Sequence, residues 1–363
     1  MEKCKKILVV AVLALTLVGI FAAHIILPDG EYSSAERRPL AQRPQLTVEG
    51  VFSGDYFEDL ETYLLDQFPL RETFRALKAN FQTRVLGLKA NNGIYYVDGH
   101  LSKLDYPLKE SQAQLAIDKF NAIIDSHPEI GKAYYSLIPD KNYFLAEKNG
   151  YPAMDYDALL QQATGIHAEY IDIFPCLTID DYYATDSHWR QEKIGHVVNK
   201  LAHAMTGIID DVSDYRHEYR DGFRGVYYGQ SALDLPGETM TILRNPVTDD
   251  ARVFNVEQNK EIPVYNWDEF NNVDPYDVYL SGAEALLTIE NPLAPDNGGH
   301  LILFRDSFGS SITPLLLEYY SRITVVDIRY MASSLLDQYV DFTDADVLFL
   351  YCTSMFNAGA TLK

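Results

Sequence analysis

From Ile7 to Leu27 the chain is an almost purely apolar run, preceded by Lys3, Lys5 and Lys6. About 20 such residues cross a bilayer as a helix. Basic residues in front of the run stay on the cytoplasmic side and direct the rest of the chain outward. A cleaved signal would have a shorter apolar core ending at a small-x-small site. Here the run passes Ala22-Ala23 and continues through His24 to Leu27. The expectation is an uncleaved anchor over residues 1–28, with one span at most. Residues 29–53, broken by Pro39 and Pro44 and scattered with charge, read as a tether.

Beyond the tether the apolar spacing turns helical. Phe57, Leu60, Leu64 and Phe68 mark one helix, Pro69 interrupts, and Phe74, Leu77, Phe81 and Val85 mark the next. Ile94-Tyr95-Tyr96-Val97 followed by Asp98-Gly99 predicts a hairpin. Helices are expected at 109–125, 155–165 and 190–205, and strands at 133–138 and 170–174. The C-terminal stretch alternates cleanly. Leu301–Phe304, Ile323–Val326 and Val347–Tyr351 read as strands, separated by helices at 310–320 and 332–340. Such alternation implies an α/β domain over 54–363, with a mostly parallel sheet flanked by helices. Residues 215–298, rich in Asp, Asn, Pro and Gly, break this rhythm and are expected to form an irregular β-rich insertion.

Composition narrows the function classes. A net charge of −22 with no basic stripe excludes nucleic acid as a partner. Cys4 precedes the apolar run and is too early for a lipoprotein cysteine. Cys176 and Cys352 would share the outer compartment and could pair, but their spacing carries no framework signature, and two separate buried thiols is the favoured reading.

Two short segments carry chemistry. In Leu301-Ile302-Leu303-Phe304-Arg305-Asp306-Ser307-Phe308-Gly309, a buried strand ends on a serine and turns into a helix. That places the hydroxyl at the C-terminal edge of a parallel sheet, where α/β sites form. The helix N-terminus offers backbone N–H groups for an oxyanion. A serine there also serves simply as a helix cap. In Thr185-Asp186-Ser187-His188-Trp189, an aspartate and a histidine sit two residues apart. A serine hydroxyl needs a base, and a carboxylate on the far ring nitrogen orients that base. By itself the pair is equally a helix cap beside a surface histidine. Asp186, His188 and His196 could be read as metal ligands, but His196 lies about two helical turns beyond His188.

With these segments in order, the chain resembles the DHHW family of bacterial envelope proteins. It is also similar, more distantly, to the SGNH-like alginate O-acetyltransferase proteins. The landmarks are Asp66-Gln67-Phe68-Pro69-Leu70-Arg71, Ile138-Pro139-Asp140-Lys141, Asp186-Ser187-His188-Trp189, Arg305-Asp306-Ser307-Phe308 and Val326-Asp327-Ile328-Arg329-Tyr330. Ser187 stands where the family's name-giving motif has its first histidine, and the Asp-x-His pair survives.

The resemblance implies an SGNH-hydrolase-like fold in permuted order, with Ser307 as nucleophile, His188 as base and Asp186 as its orienting acid. It implies acyl transfer, with acetyl expected, to a hydroxyl of an envelope or secreted polysaccharide, without a nucleotide or metal cofactor. A membrane-bound O-acyltransferase is the expected acyl supplier. Lys141 and Tyr143 are candidate pocket residues. Arg305 and Arg329 are candidates for substrate positioning or for structural ion pairs, the latter favoured. Asn357 is a candidate oxyanion donor. Water as acceptor would make the protein an esterase. A non-catalytic polysaccharide-binding or assembly role, supported by the 26 tyrosines, is the rival reading.

Overall fold

The computed structural model describes residues 2–208, 214–294 and 298–363. The Lys3 and Cys4 side chains, expected on the cytoplasmic side, and residues 295–297 of the expected insertion lie outside the described residues. The chain divides into two compact units, 1–91 with Gly229–Asp234, and the remainder.

The first unit begins with α1 (Glu2–Ile26). Within it, Lys5–Ile26 is the one described helix long and apolar enough to cross a membrane, a property that anchors and signal sequences share. The segment read as a tether is ordered. Strands β1 (Tyr32–Ser33) and β2 (Arg38–Pro39) pair antiparallel. Helices α2 (Val48–Ser53), α3 (Asp55–Asp66) and α4 (Arg71–Asn80) follow, and a π-helical turn, Phe81–Val85, continues α4. Asp66 ties the hairpin down. It takes both Arg38 guanidinium nitrogens at 2.6 and 2.7 Å and the Ala41 N–H at 2.9 Å. The stripe of Phe74, Leu77, Phe81 and Val85 that marked this helix in the sequence is exposed.

The second unit opens with the expected hairpin, β3 (Ile94–Val97) and β4 (His100–Lys103). Asp98 and Gly99 both take positive φ, as a tight hairpin turn requires. Then come α5 (Glu110–Ser126), β5 (Lys132–Ile138), α6 (Lys141–Leu145), α7 (Tyr156–Ala163), β6 (Glu169–Tyr170) and α8 (Gly195–Thr206). Next are β7 (Arg216–Phe223), α9 (Val226–Ser231), β8 (Glu238–Arg244), α10 (Pro246–Asp250), β9 (Arg252–Asn255), β10 (Lys260–Ile262) and β11 (Leu286–Glu290). The chain ends with β12 (His300–Arg305), α11 (Phe308–Leu316), β13 (Arg322–Val326), α12 (Leu336–Tyr339), β14 (Asp346–Cys352) and α13 (Thr353–Phe356).

The central sheet has eight strands in the order β10-β9-β11-β13-β12-β14-β5-β6. The five from β13 to β6 run parallel, while β11, β9 and β10 are antiparallel additions. Residues 215–298 are therefore not only an insertion: three of their strands extend the sheet, and β7 pairs with β8 apart from it. Alternate residues of each parallel strand feed opposite faces, as the two-residue strand period demands. Leu301 and Leu303 join the side chains of α8 and α11 on one face; Ile302 and Phe304 join those of α5 and α7 on the other.

Several expected helices shrink. The one expected from 190 starts at Gly195, after a 3-10 turn at Gln191–Lys193. The Gln191 side chain holds that turn by donating to Ser311 O and Tyr265 Oη and accepting from Leu243 N–H. Of the expected strand at 170–174 only Tyr170 pairs, as the second residue of β6, and a 3-10 turn begins at Phe174.

Candidate active site

The parallel strands deliver their C-terminal ends to one edge of the sheet. β12 ends there at Arg305 and leads to Asp306 and Ser307, β14 at Cys352, and β5 at Ile138 and the Pro139-Asp140-Lys141 turn. Ser307 is half-buried, lies at the start of α11, and does not cap it with its side chain. Asp306 does: its Oδ1 accepts the Phe308 N–H at 3.0 Å, and its Oδ2 accepts the Cys352 N–H at 2.8 Å. The serine is thereby spared for other work. Burial pushes the Asp306 carboxyl up from its usual range. Gly309 completes the turn, since a Cβ there would lie 2.5 Å from Arg305 Cβ.

His188 faces this serine. Its Nε2 lies 2.7 Å from Ser307 Oγ, and its Nδ1 lies 2.5 Å from Asp186 Oδ1. The imidazole stacks on the Tyr276 ring, with centroids 3.9 Å apart and planes 9° apart, and Phe308 lies against it at 4.8 Å. Trp189 is fully buried and donates Nε1 to Ser311 Oγ at 2.9 Å, which fixes the Asp-x-His loop to the first turns of α11.

The loop is held from several directions. Asp186 Oδ2 accepts the Val226 N–H at 2.7 Å. Gly225 presses so close that a Cβ there would lie 2.2 Å from Asp186 Cβ. Glu238 accepts the N–H groups of Ala184 and Thr185 at 2.6 and 2.7 Å. From below, the buried Lys141 ammonium donates to the carbonyls of Tyr183, Ala184 and Asp186 at 2.7, 3.1 and 3.0 Å. Burial pushes Lys141 down to about 7, against the pull of Glu238 and Asp186.

The remaining candidates from the sequence separate. Lys141 faces the loop backbone rather than a pocket. Tyr143 is exposed and lines a cavity of ≈ 510 Å³ with Glu147, Tyr151 and Tyr156. Arg305 and Arg329 both pair with the buried Asp327, at 3.3 and 2.5 Å. Asn357 spends its amide on the segment before α5, accepting from Lys109 N–H and donating to Asp105 and Pro107 O. None of its contacts reaches Ser307, because that segment saturates it. The Phe308 N–H, a natural oxyanion donor by position, is taken by Asp306, whereas the Ser307 N–H donates to no described residue. His196 sits exposed on α8, and no group of three or more described His, Cys, Asp or Glu side chains is arranged for a metal. Cys176 and Cys352 are free thiols, and Cys176 is only half-buried. Sequence reasoning missed Gly225, Glu238, Tyr276 and the role of Asp306. Only the last had a local signal, an aspartate two residues before a helix N–H.

No protein-family model matches the sequence, and no curated protein matches it. Solved structures do. A DHHW family protein from Eubacterium siraeum is similar at 20% identity, over 75% of this chain and 94% of that one, with a TM-score of 0.60. Bacillus cereus PatB1 with a sulfonyl adduct is similar at 19% identity, over 72% and 97%, with a TM-score of 0.57. The O-acetyltransferase domain of Pseudomonas putida AlgJ matches at 11% identity, over 73% and 92%, with a TM-score of 0.44. At these identities the likeness to the first two shows a shared fold.

Proposed function

We propose that this chain is an extracytoplasmic, serine-dependent O-acyltransferase that moves an acetyl group onto an envelope or secreted polysaccharide. The observation that carries the reading is the Asp186–His188–Ser307 line of hydrogen bonds at the sheet edge. With Asp186 ionised, the Nδ1 proton of His188 points at the carboxylate and Nε2 is left to accept from the serine. Ser307 Oγ attacks the donor carbonyl as its proton passes to Nε2, and the Asp186 carboxylate stabilises the imidazolium. The Ser307 N–H is the first donor for the developing oxyanion. The leaving group departs with the proton, giving an acyl-enzyme. An acceptor hydroxyl then yields its proton to His188 and takes the acyl group. Water in that place gives an esterase.

In this reading residues 1–28 anchor the chain, 29–53 lead away from the membrane, and 54–363 carry the chemistry. A membrane-bound O-acyltransferase supplies the acyl groups. The sulfonyl adduct on PatB1, a protein of the same fold, suggests the test. Full-length protein in detergent is treated with phenylmethanesulfonyl fluoride and peptide-mapped. A sulfonyl group on Ser307, lost in His188→Ala, is expected. Modification elsewhere, or none, would favour a polysaccharide-binding role without chemistry.

A further inference from the structure

The Asp66-Gln67-Phe68-Pro69-Leu70-Arg71 motif has no part in the chemistry above. Within the first unit it grips the chain that leaves α1. Gln67 accepts the Gly30 N–H at 2.8 Å and donates to Gly30 O and Ala41 O, both at 2.9 Å. One turn earlier, Tyr63 Oη reaches both Asp29 carboxylate oxygens at 3.0 Å, and its ring meets His24 of α1 edge-on at 5.5 Å. One turn later, Arg71 and Arg75 pair with Glu36 at 2.5 and 3.3 Å. Both α3 and α4 are thus bound to residues that lie within ten positions of the end of α1.

These helices turn their apolar residues outward. Leu70, Phe74, Leu77, Phe81 and Val85 recur every three or four residues, and Leu70, Leu77 and Val85 are 73, 63 and 67% exposed. Ala79 is the only buried residue of α4. Exposed Lys78 and Arg84 lie in the same stretch. An apolar stripe with basic residues beside it is the pattern of a helix lying in a membrane interface. A soluble surface rarely leaves so long an apolar stripe uncovered.

We propose that the α4 stripe, continued through Val85, is a membrane-docking surface that rests on the outer leaflet of the bilayer crossed by α1. The occupant is lipid because the helix bearing the stripe is clamped by Arg71 and Arg75 to Glu36, and the helix before it by Tyr63 to Asp29, in the segment that emerges from the span. α1 brings one apolar contact to the bilayer and α4 adds a second. The motif between them fixes the angle at which the first unit leaves the membrane.

The test uses the full chain in vesicles of phosphatidylcholine and phosphatidylglycerol, with Cys4→Ser and Cys176→Ser as background. Leu77→Cys carries a nitrobenzoxadiazole fluorophore, and the same dye on free cysteine in water is the reference. Retention of the protein after an alkaline carbonate wash reports the α1 span separately. The expected result is a blue-shifted probe, quenched several-fold by nitroxide-bearing lipids and shielded from iodide. Phe81→Glu with Val85→Glu reverses that shielding while leaving modification of Ser307 unchanged. A probe at position 77 that iodide reaches as freely as the reference overturns the proposal. So does self-quenching that grows with protein density, which would mean that a second copy covers the stripe.

Discussion

α4 and α11 differ little in length, and both place apolar residues at helical intervals, yet their surroundings are opposite. Every residue of α11 is buried, and the helix sits between the sheet and the Asp-x-His loop. α4 buries one residue, is held by ion pairs at its polar side, and turns its apolar side outward. Periodicity fixes that a segment is a helix and which face is apolar. It does not say what covers that face. In the second unit the cover is the chain itself, so side-chain identity there sets both stability and the geometry of Ser307. In the first unit side-chain identity sets what the surface meets.

The difference is broken most strongly at Trp189. Trp189→Ala should cost roughly 3–5 kcal/mol in urea denaturation and abolish modification of Ser307, since the tryptophan packs α11 against the loop bearing His188. Gly225→Ala comes next. Its methyl would overlap Asp186, so about 1–3 kcal/mol should be lost, with acylation at least tenfold slower by ester turnover.

A smaller effect is set by pH. Burial, and then the neighbouring Asp105, raise the Asp140 carboxyl to about 6. An unfolded aspartate titrates near 3.9. Between those values the unfolded chain gives up its proton first, so stability falls as pH rises from about 4 to about 6. The share of this slope that belongs to Asp140 should be at most ~1.4 kcal/mol per pH unit, and Asp140→Asn should flatten the pH dependence in urea melts by that share. The smallest effect belongs to the first unit. Leu77→Ala in detergent should change stability by within ~0.5 kcal/mol, as expected of a largely exposed side chain. A loss like that of Trp189→Ala would erase the contrast.

Much of the second unit was legible because its strands are continuous apolar runs bounded by helices. The serine at the end of β12 and the Asp-x-His loop could both be found from local pattern. Their meeting could not, because 119 residues separate His188 from Ser307. Val226 reaches Asp186 from 40 residues away, and Gly225 beside it does the same, with no local mark. Position in sequence also misled. Lys141 follows a strand end, as pocket residues do, but its length lets the ammonium reach back under the loop backbone. The ordered tether was missed because Asp66 and Gln67 bond partners 25 to 37 residues earlier.

The central claim is that His188 activates Ser307 for acyl transfer, and intact-mass spectrometry of the full chain after incubation with an activated acetyl ester tests it most directly. One acetyl group should appear on the wild type and be absent from Ser307→Ala and His188→Ala, with all three proteins equally folded by urea denaturation. A folded wild type that gains no acetyl, or an acetyl that persists in Ser307→Ala, would contradict the account.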